Sequence, residues 1–147
     1  MIDDLYSARL LALAANLPRA GRLAAPQASA TRTSKLCGST VTADVVMAGG
    51  RVVDYAHDVR ACALGQASAA VLGEAVIGAS PDELEQARDG LRAMLKTGAP
   101  PPHGRFAGLA ALQPVKDYPV RHASTLLAFE AAAAAAREAA GGSATPP

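Results

Sequence analysis

Two cysteines are the residues of this chain best suited to chemistry, and each stands at the edge of a predicted element. Cys37 opens a strand pattern after a loop and lies beside Gly38, a residue that lets the backbone come close to a bound group. Cys62 opens a helical pattern after a strand, where unpaired N–H groups favour the thiolate. Thiolates bind soft metal ions and attack sulfur, so metal or sulfur chemistry is one interpretation. The alternative is that both are small buried hydrophobic residues, since two cysteines make no complete metal site.

The three histidines are weaker candidates for chemistry. His57 lies among apolar neighbours and is predicted to be a histidine at the edge of the core. His103 follows three prolines and is predicted to be solvated, and His122 lies near the start of the last predicted helix. A Ser-His-Asp triad stays open, although the sequence has no nucleophile elbow, no P-loop and no Gly-rich dinucleotide motif.

Five helical segments and three strands would have to position these side chains. Apolar spacing and capping signals predict helices over residues 2–17, 62–76, 81–97, 106–112 and 119–140. The clearest start signal is Ser80-Pro81-Asp82-Glu83, with Ser80 as N-cap and Glu83 completing a capping box.

The strands are predicted at 39–47 and 51–59, with a third and weaker one at 30–36. Gly49-Gly50 marks a hairpin turn between the first two. A strict two-residue turn would pair Val53, Tyr55 and the alternate residues after them with the threonines of the other strand. A three-residue or bulged turn would place them beside Val41 and Val45, and this register is the preferred prediction.

Together these elements predict an α+β fold, a two-layer α/β sandwich in which helices cover one face of a small antiparallel sheet of about three strands. Residues 1–140 are predicted to form one domain, and 141–147 a disordered tail.

Composition limits the function classes. The net charge is +1, and no basic stripe with interleaved aromatic residues occurs, so the sequence predicts no nucleic-acid partner. No apolar run reaches the ~20 residues of a membrane span. The acidic start lacks the basic region of a signal peptide, so a cytoplasmic protein with reduced thiols is expected.

Four motifs in order resemble the U-type iron–sulfur cluster assembly scaffolds, over roughly residues 2–135. The segment 16–21, N-L-P-R-A-G, is similar to the N-P-R-x-x-G turn of that family, with one inserted residue and one fewer before the glycine. The segment 37–39, C-G-S, resembles C-G-D, and the segment 62–69, C-A-L-G-Q-A-S-A, matches C-x-x-x-x-A-S. The segment 115–124, V-K-D-Y-P-V-R-H-A-S, resembles the V-[KR]-x-[FY]-P-x-R-x-x-C stretch of the Suf-type branch, whose spacing the chain also shares.

The resemblance implies an α/β sandwich that holds a transient iron–sulfur cluster, or zinc in the Suf-type branch, on three cysteines and an aspartate. It also implies a pyridoxal-phosphate cysteine desulfurase as sulfur donor, together with other iron–sulfur assembly proteins. Carried over by position, the ligands would be Cys37, Ser39, Cys62 and Ser124. Serine replaces the aspartate at 39 and the third cysteine at 124, and a serine hydroxyl is a poor ligand for soft metals. His122 could take the place of a missing ligand only if the last helix starts later than residue 119. Side chains two positions apart in a helix point to opposite sides, so His122 and Ser124 would not both face the site if both were helical.

Three functions follow from this pattern. The first is a cluster assembly scaffold or sulfur acceptor that uses Cys37 and Cys62, and this role is not enzymatic. The second is a degenerate homologue that keeps the fold as a protein-binding adaptor without its own metal site. The third is an enzyme with serine or histidine chemistry in the same pocket.

Overall fold

The computed structural model describes residues 8–35 and 38–144 of the chain, with side chains described up to residue 140. Its regular elements, in chain order, are α1 (Ala8–Ala15), β1 (Ala28–Thr33), β2 (Thr40–Ala48), β3 (Arg51–Arg60), α2 (Ala63–Ala75), α3 (Pro81–Thr97), a 3₁₀ segment (Gly104–Asp117), a 3₁₀ turn (Pro119–Arg121) and α4 (His122–Ala144). None of the helices in the described part of the chain is long and apolar enough to cross a membrane.

The three strands form one antiparallel sheet in the order β1-β2-β3. Ala48 stands opposite Arg51, so the hairpin turn has two residues, and both glycines adopt the positive φ that such a turn requires (61° and 77°). The register shifts between Val46 and Met47, which leaves Val53 as the extra residue of a β-bulge. The alternative with a bulge is therefore confirmed.

The bulge also corrects one prediction about the core. Beyond it, Tyr55 lies opposite Val45 and His57 opposite Ala43, as the preferred register requires. Val53 itself is 50% exposed, whereas Val52 is buried. The prediction that Val53 lies on the same face as Tyr55 is wrong, because the added residue reverses the alternation of the strand between the turn and Tyr55.

The helices cover one face of the sheet. α4 packs on β1 and β2 and also on α2 and α3, and its run of alanines at 131–136 is almost wholly buried. Alanine side chains are short, so this central helix approaches its neighbours closely and forms the middle of the core. This arrangement confirms the α+β fold.

The helix ends follow the sequence signals with two differences. In α3, Ser80 Oγ accepts a hydrogen bond from Glu83 N (3.1 Å), and Glu83 Oε1 accepts one from Ser80 N (2.9 Å), so the capping box is confirmed. The last helix begins at His122 and not at 119, because the residues before it form the 3₁₀ turn. It continues to Ala144, through the glycines where the predicted tail begins; 145–147 lie outside the described residues.

The remaining helix predictions differ in extent. α1 ends at Ala15, ahead of the predicted end at 17, while the first seven residues are outside the described part. The helix predicted at 106–112 belongs to the longer 3₁₀ segment Gly104–Asp117, in which Pro114 lacks the N–H for regular helical hydrogen bonding.

A buried carboxylate connects the loop after α1, through hydrogen bonds, to the face of the sheet opposite the helices. Asp44 in β2 is fully buried, and it accepts hydrogen bonds from Arg22 (2.6 and 3.0 Å), from Ser29 Oγ (2.6 Å) and from Leu23 N (3.0 Å). Burial alone would raise its pKa, but these donors and the charge of Arg22 outweigh burial and lower the pKa below the usual value. Asp44 is therefore ionised in the folded protein.

Replacing Asp44 with alanine is expected to lower the free energy of unfolding by about 2 kcal/mol, because the Ser29 hydroxyl and the Leu23 N–H lose a charged acceptor, whereas the half-exposed Arg22 can turn to water. The stabilisation is present above the pKa of the unfolded carboxyl group and is lost as the pH falls through the lower native pKa. Urea unfolding as a function of pH measures both effects. Asp58→Ala, which removes a partly exposed ion pair with Arg60 (3.5 Å), is the control and should change stability little. Equal effects of the two substitutions would contradict this account of Asp44.

Candidate thiol site

Cys62 lies at the junction between β3 and α2. It is the N-cap residue of α2, with extended backbone angles (φ −66°, ψ 173°), and its carbonyl accepts the hydrogen bond of Gln66 N at 2.9 Å. Its side chain is partly exposed. A thiol at this position lies beside the unpaired N–H groups of the first helical turn, as the sequence predicted.

Ser124 brings the start of α4 to this thiol. Its Oγ lies 3.5 Å from Cys62 Sγ and 3.2 Å from the carbonyl oxygen of Arg121, and the residue is buried. A hydroxyl has one hydrogen to donate. Ser124 can donate it to the Arg121 carbonyl while the Cys62 S–H donates to Oγ, or it can donate it to a Cys62 thiolate.

Gly65 makes this approach of the two helices sterically feasible. A Cβ atom at this position would lie 2.7 Å from Ala61 Cβ and 3.1 Å from the Ser124 carbonyl oxygen. A side chain at residue 65 would clash with Ala61 and press on the Ser124 carbonyl, so a glycine there lets the start of α2 lie this close to the start of α4.

The surroundings of Cys62 favour its ionised form. Burial of the thiol raises its pKa, but the hydrogen bond with the Ser124 hydroxyl, the nearby N–H dipoles of Gly65 and Leu64 and the positive charge of Arg121 outweigh burial. The net effect is a pKa below that of an ordinary cysteine. This direction is the one expected for a thiol at a helix start, and the comparison with Cys37 stays a prediction.

Ser39 is placed at the same end of the sheet. It precedes Thr40, which pairs with Arg60, two residues before Cys62. Its carbonyl accepts a hydrogen bond from Ser34 N (2.8 Å), the residue is 4% exposed, and Gly38 before it has a positive φ of 72°. Cys37 lies outside the described residues, so its convergence with Cys62 stays a prediction.

The two central histidines have other partners. His122 is buried, and its Nε2 donates to the carbonyl oxygens of Val115 (2.9 Å) and Lys116 (3.2 Å), which anchors the 3₁₀ segment. His57 is fully buried in the core, where burial lowers its pKa and its Nε2 donates to Pro18 O at 3.0 Å. α4 starts later than residue 119, but His122 is its first residue and has helical backbone angles (φ −63°, ψ −45°). His122 and Ser124 are therefore still two helical positions apart, and the His122 ring bonds these carbonyls.

The donors that the structure describes at this end do not make up a complete metal site. Within residues 8–35 and 38–140, no group of three or more His, Cys, Asp or Glu side chains is placed to hold a metal ion. Ser124 Oγ is already engaged with Cys62 and Arg121. The described residues thus supply one soft ligand, Cys62, where a structural zinc site uses four protein ligands.

Arg121 is a site residue that the sequence analysis did not single out. It lies three positions before Ser124 in the 3₁₀ turn, is partly exposed, and its charge acts on the Cys62 thiol. Its presence in the P-x-R part of the last motif was the available signal.

Ser124→Ala is expected to raise the pKa of Cys62, because the thiolate loses a hydrogen-bond donor. The rate of alkylation by iodoacetamide as a function of pH, followed at Cys62 by peptide mass spectrometry, measures that pKa. Thr97→Ala is the matched control, since Thr97 Oγ1 also bonds a helical carbonyl (Ala93 O, 2.8 Å) but lies at the end of α3. An unchanged or lower pKa in Ser124→Ala would contradict this role of the hydroxyl.

Comparisons with known proteins give several structural matches. The chain is similar to the N-terminal part of a nitrogen-fixing NifU-like protein from Brucella abortus, with 54% sequence identity, coverage of 95% of this chain and 97% of that chain, and a TM-score of 0.92. It also shares its fold with an iron–sulfur cluster assembly scaffold protein for the SUF system from Fervidobacterium islandicum, at 22% identity, coverage of 90% and 97%, and a TM-score of 0.82. A hypothetical protein matches at 24% identity, coverage of 92% and 98%, and a TM-score of 0.79. No family model and no curated protein matches the sequence.

Proposed function

The chain belongs to the U-type family of iron–sulfur cluster assembly scaffolds, and from this premise we propose that it acts in cluster assembly as a sulfur acceptor, with Cys62 as the receiving thiol. A single observation carries the proposal. The Cys62 thiol, at the start of α2, is partly exposed and lies 3.5 Å from Ser124 Oγ, in surroundings that lower its pKa. A thiolate that is both accessible and stabilised is the form that attacks sulfur.

The reaction is a thiol exchange at sulfur. The Cys62 thiolate attacks the terminal sulfur of a persulfide on the donor protein, the donor's S–S bond breaks, and the donor cysteine leaves as a thiolate. Cys62 then holds the terminal sulfur, with its proton, as a persulfide. The exchange needs no external oxidant or reductant, and the chain acts as acceptor and not as an enzyme.

The donor in this proposal is a pyridoxal-phosphate cysteine desulfurase, and the sulfur is destined for an iron–sulfur cluster. The cluster is cargo in this scheme. Holding it would require ligands beyond Cys62, and Cys37 is the other thiolate that the sequence offers. Serine at positions 39 and 124 supports the delivery of sulfur over tight metal binding, because hydroxyl groups are poor ligands for soft metals. The same serines favour the second candidate, an adaptor that keeps the fold and binds assembly proteins without receiving sulfur.

Alanine release by a cysteine desulfurase tests the proposal. Its catalytic cysteine stays blocked as a persulfide until an acceptor removes the sulfur, and each chain can take up one sulfur atom at Cys62. Adding this chain in excess over the desulfurase, with free cysteine as the substrate, should therefore raise the initial rate of alanine release. The adaptor candidate predicts binding to the desulfurase with no increase in that rate. An unchanged rate at saturating chain concentration would exclude the sulfur-acceptor role.

A further inference from the structure

His122 is a buried polar residue that the sulfur-acceptor scheme does not use. Its Nε2 donates to the carbonyl oxygens of Val115 (2.9 Å) and Lys116 (3.2 Å), whereas Nδ1 is buried without a hydrogen-bond partner in the described part of the chain. An unpaired buried nitrogen costs stability, so a position that only filled the core would be better served by an apolar side chain. What the ring adds at this position is therefore its donation to the two carbonyls.

A run of hydrogen bonds three residues apart connects these carbonyls to Ser124. Val115 O also accepts from Tyr118 N (2.9 Å), and Tyr118 O accepts from Arg121 N (2.9 Å). Arg121 O in turn accepts from Ser124 Oγ at 3.2 Å. The His122 ring reaches back across this run to Val115 O, so it fixes the backbone that presents Ser124 to the thiol.

The ring and the serine hydroxyl lie on different sides of the first turn of α4. Side chains two positions apart in a helix differ by about 200°. The hydroxyl side lies 3.5 Å from Cys62 Sγ, and a Cβ atom at Gly65 would come within 3.1 Å of the Ser124 carbonyl oxygen. The contact between the two helix starts is close on that side, and His122 holds the turn from the other side.

The 3₁₀ segment that His122 bonds is itself attached to α2, the helix that begins after the thiol. At the start of the segment, Arg105 Nη1 donates to the carbonyl oxygens of Ala75 and Ile77, both at 3.0 Å, at the far end of α2. Further along, Gly108 lies against Val71, because a Cβ atom at residue 108 would be 3.3 Å from Val71 Cγ1. The segment thus contacts α2 along its length and α4 at its start, which fixes the two helices relative to each other.

We propose that His122 is a positioning residue for the thiol: by bonding the first turn of α4 to the 3₁₀ segment, it holds the Ser124 hydroxyl within hydrogen-bonding reach of Cys62 Sγ. This inference deepens the proposed function and rests on it, because the thiol that is positioned is the proposed sulfur acceptor. The ring acts through Ser124 and takes no part in the transfer of sulfur itself.

The pH midpoint of Cys62 alkylation by iodoacetamide tests the proposal, because a thiolate that loses its donor forms at higher pH. His122→Leu removes the ring nitrogens and is expected to raise this midpoint by roughly half a unit. His122→Gln, whose amide nitrogen can take the place of Nε2, should keep the wild-type midpoint, whereas His122→Asn is too short and should raise it. No shift in His122→Leu, or equal midpoints in His122→Gln and His122→Asn, would overturn the proposal. If His122→Leu does not fold, the comparison of His122→Gln with His122→Asn decides alone.

His57→Leu is the matched control. His57 is also a buried histidine whose Nε2 donates to a carbonyl oxygen, that of Pro18 at 3.0 Å, but it connects β3 to the loop after α1. Its replacement should lower stability in urea without moving the Cys62 midpoint. A shift as large as that of His122→Leu would mean that the midpoint follows general destabilisation, and the positioning role would be overturned.

A double substitution shows whether His122 acts through the hydroxyl. In the Ser124→Ala background, His122→Leu should shift the Cys62 midpoint less than it does alone, because the group through which the ring acts is absent. Equal shifts in the two backgrounds would contradict the proposal.

The alkylation test needs no sulfur donor, so its failure is distinguishable from the failure of the proposed function. If the wild-type chain accepts no sulfur from a desulfurase while the midpoint moves as expected, the sulfur-acceptor role fails and the positioning role is supported. If the chain accepts sulfur and the midpoint of His122→Leu matches that of wild type, the positioning role alone is overturned.

Discussion

Cys62→Ser is expected to reduce sulfur transfer from a cysteine desulfurase to background, whereas Cys37→Ser should slow it less. The physical reason is that Cys62 has a helix N-terminus, the Ser124 hydroxyl and the Arg121 charge to stabilise its thiolate. A serine hydroxyl stays protonated near neutral pH and does not replace that nucleophile. The rate of persulfide formation on the intact chain, followed by mass spectrometry under anaerobic conditions, measures the effect.

The two single substitutions serve as controls for each other, because each leaves one thiol in the chain. Circular dichroism of both should match the wild type, since Cys62→Ser changes one atom at a partly exposed position. A larger loss in Cys37→Ser than in Cys62→Ser would assign the acceptor to Cys37. If neither thiol takes up sulfur and both resist alkylation until the protein unfolds, the cysteines are structural, and the adaptor function is favoured.

The second large effect concerns metal affinity. Ser39→Asp combined with Ser124→Cys should raise zinc affinity by about three orders of magnitude, which corresponds to ~4 kcal/mol. This gain is a modest part of the ~10–16 kcal/mol of apparent binding energy in complete structural zinc sites, and it comes from replacing two poor ligands by a carboxylate and a thiolate. Competition with a colorimetric zinc chelator gives the affinities.

Each single substitution restores one ligand, so each should give an intermediate affinity. Ser124→Cys is the more informative of the two, because Ser124 Oγ already lies 3.5 Å from Cys62 Sγ and a sulfur there would stand beside the other thiolate. No gain of the double variant over wild type would mean that the pocket geometry has diverged from that of a metal site, which would favour the adaptor function.

The fold was largely predictable because its local signals agree with its packing. The alternation of Val41 and Val45 with threonines, and the capping box of Ser80 and Glu83, each point to the element that forms. The differences occur where a single residue changes the geometry. The bulge at Val53 reverses two positions of the strand.

The site was predictable in part. The resemblance placed Cys62 and Ser124 together, and the structure brings them within 3.5 Å of each other. Arg121 was missed because its place in the P-x-R motif gave no sign of its role, and only folding shows that its charge acts on the Cys62 thiol. The partners of His122 were missed for a related reason: Val115 and Lys116 offer their carbonyls only because a 3₁₀ segment precedes the helix.

The central claim is that Cys62 receives the sulfur, and peptide mapping of the wild-type chain tests it most directly. The chain is incubated anaerobically with a cysteine desulfurase and free cysteine, persulfides are trapped by alkylation, and the modified peptides are identified. The account predicts an added sulfur atom on the peptide that contains Cys62, formed before any on the peptide that contains Cys37. Added sulfur on the Cys37 peptide alone, or on neither peptide while the desulfurase is fully active, would contradict it.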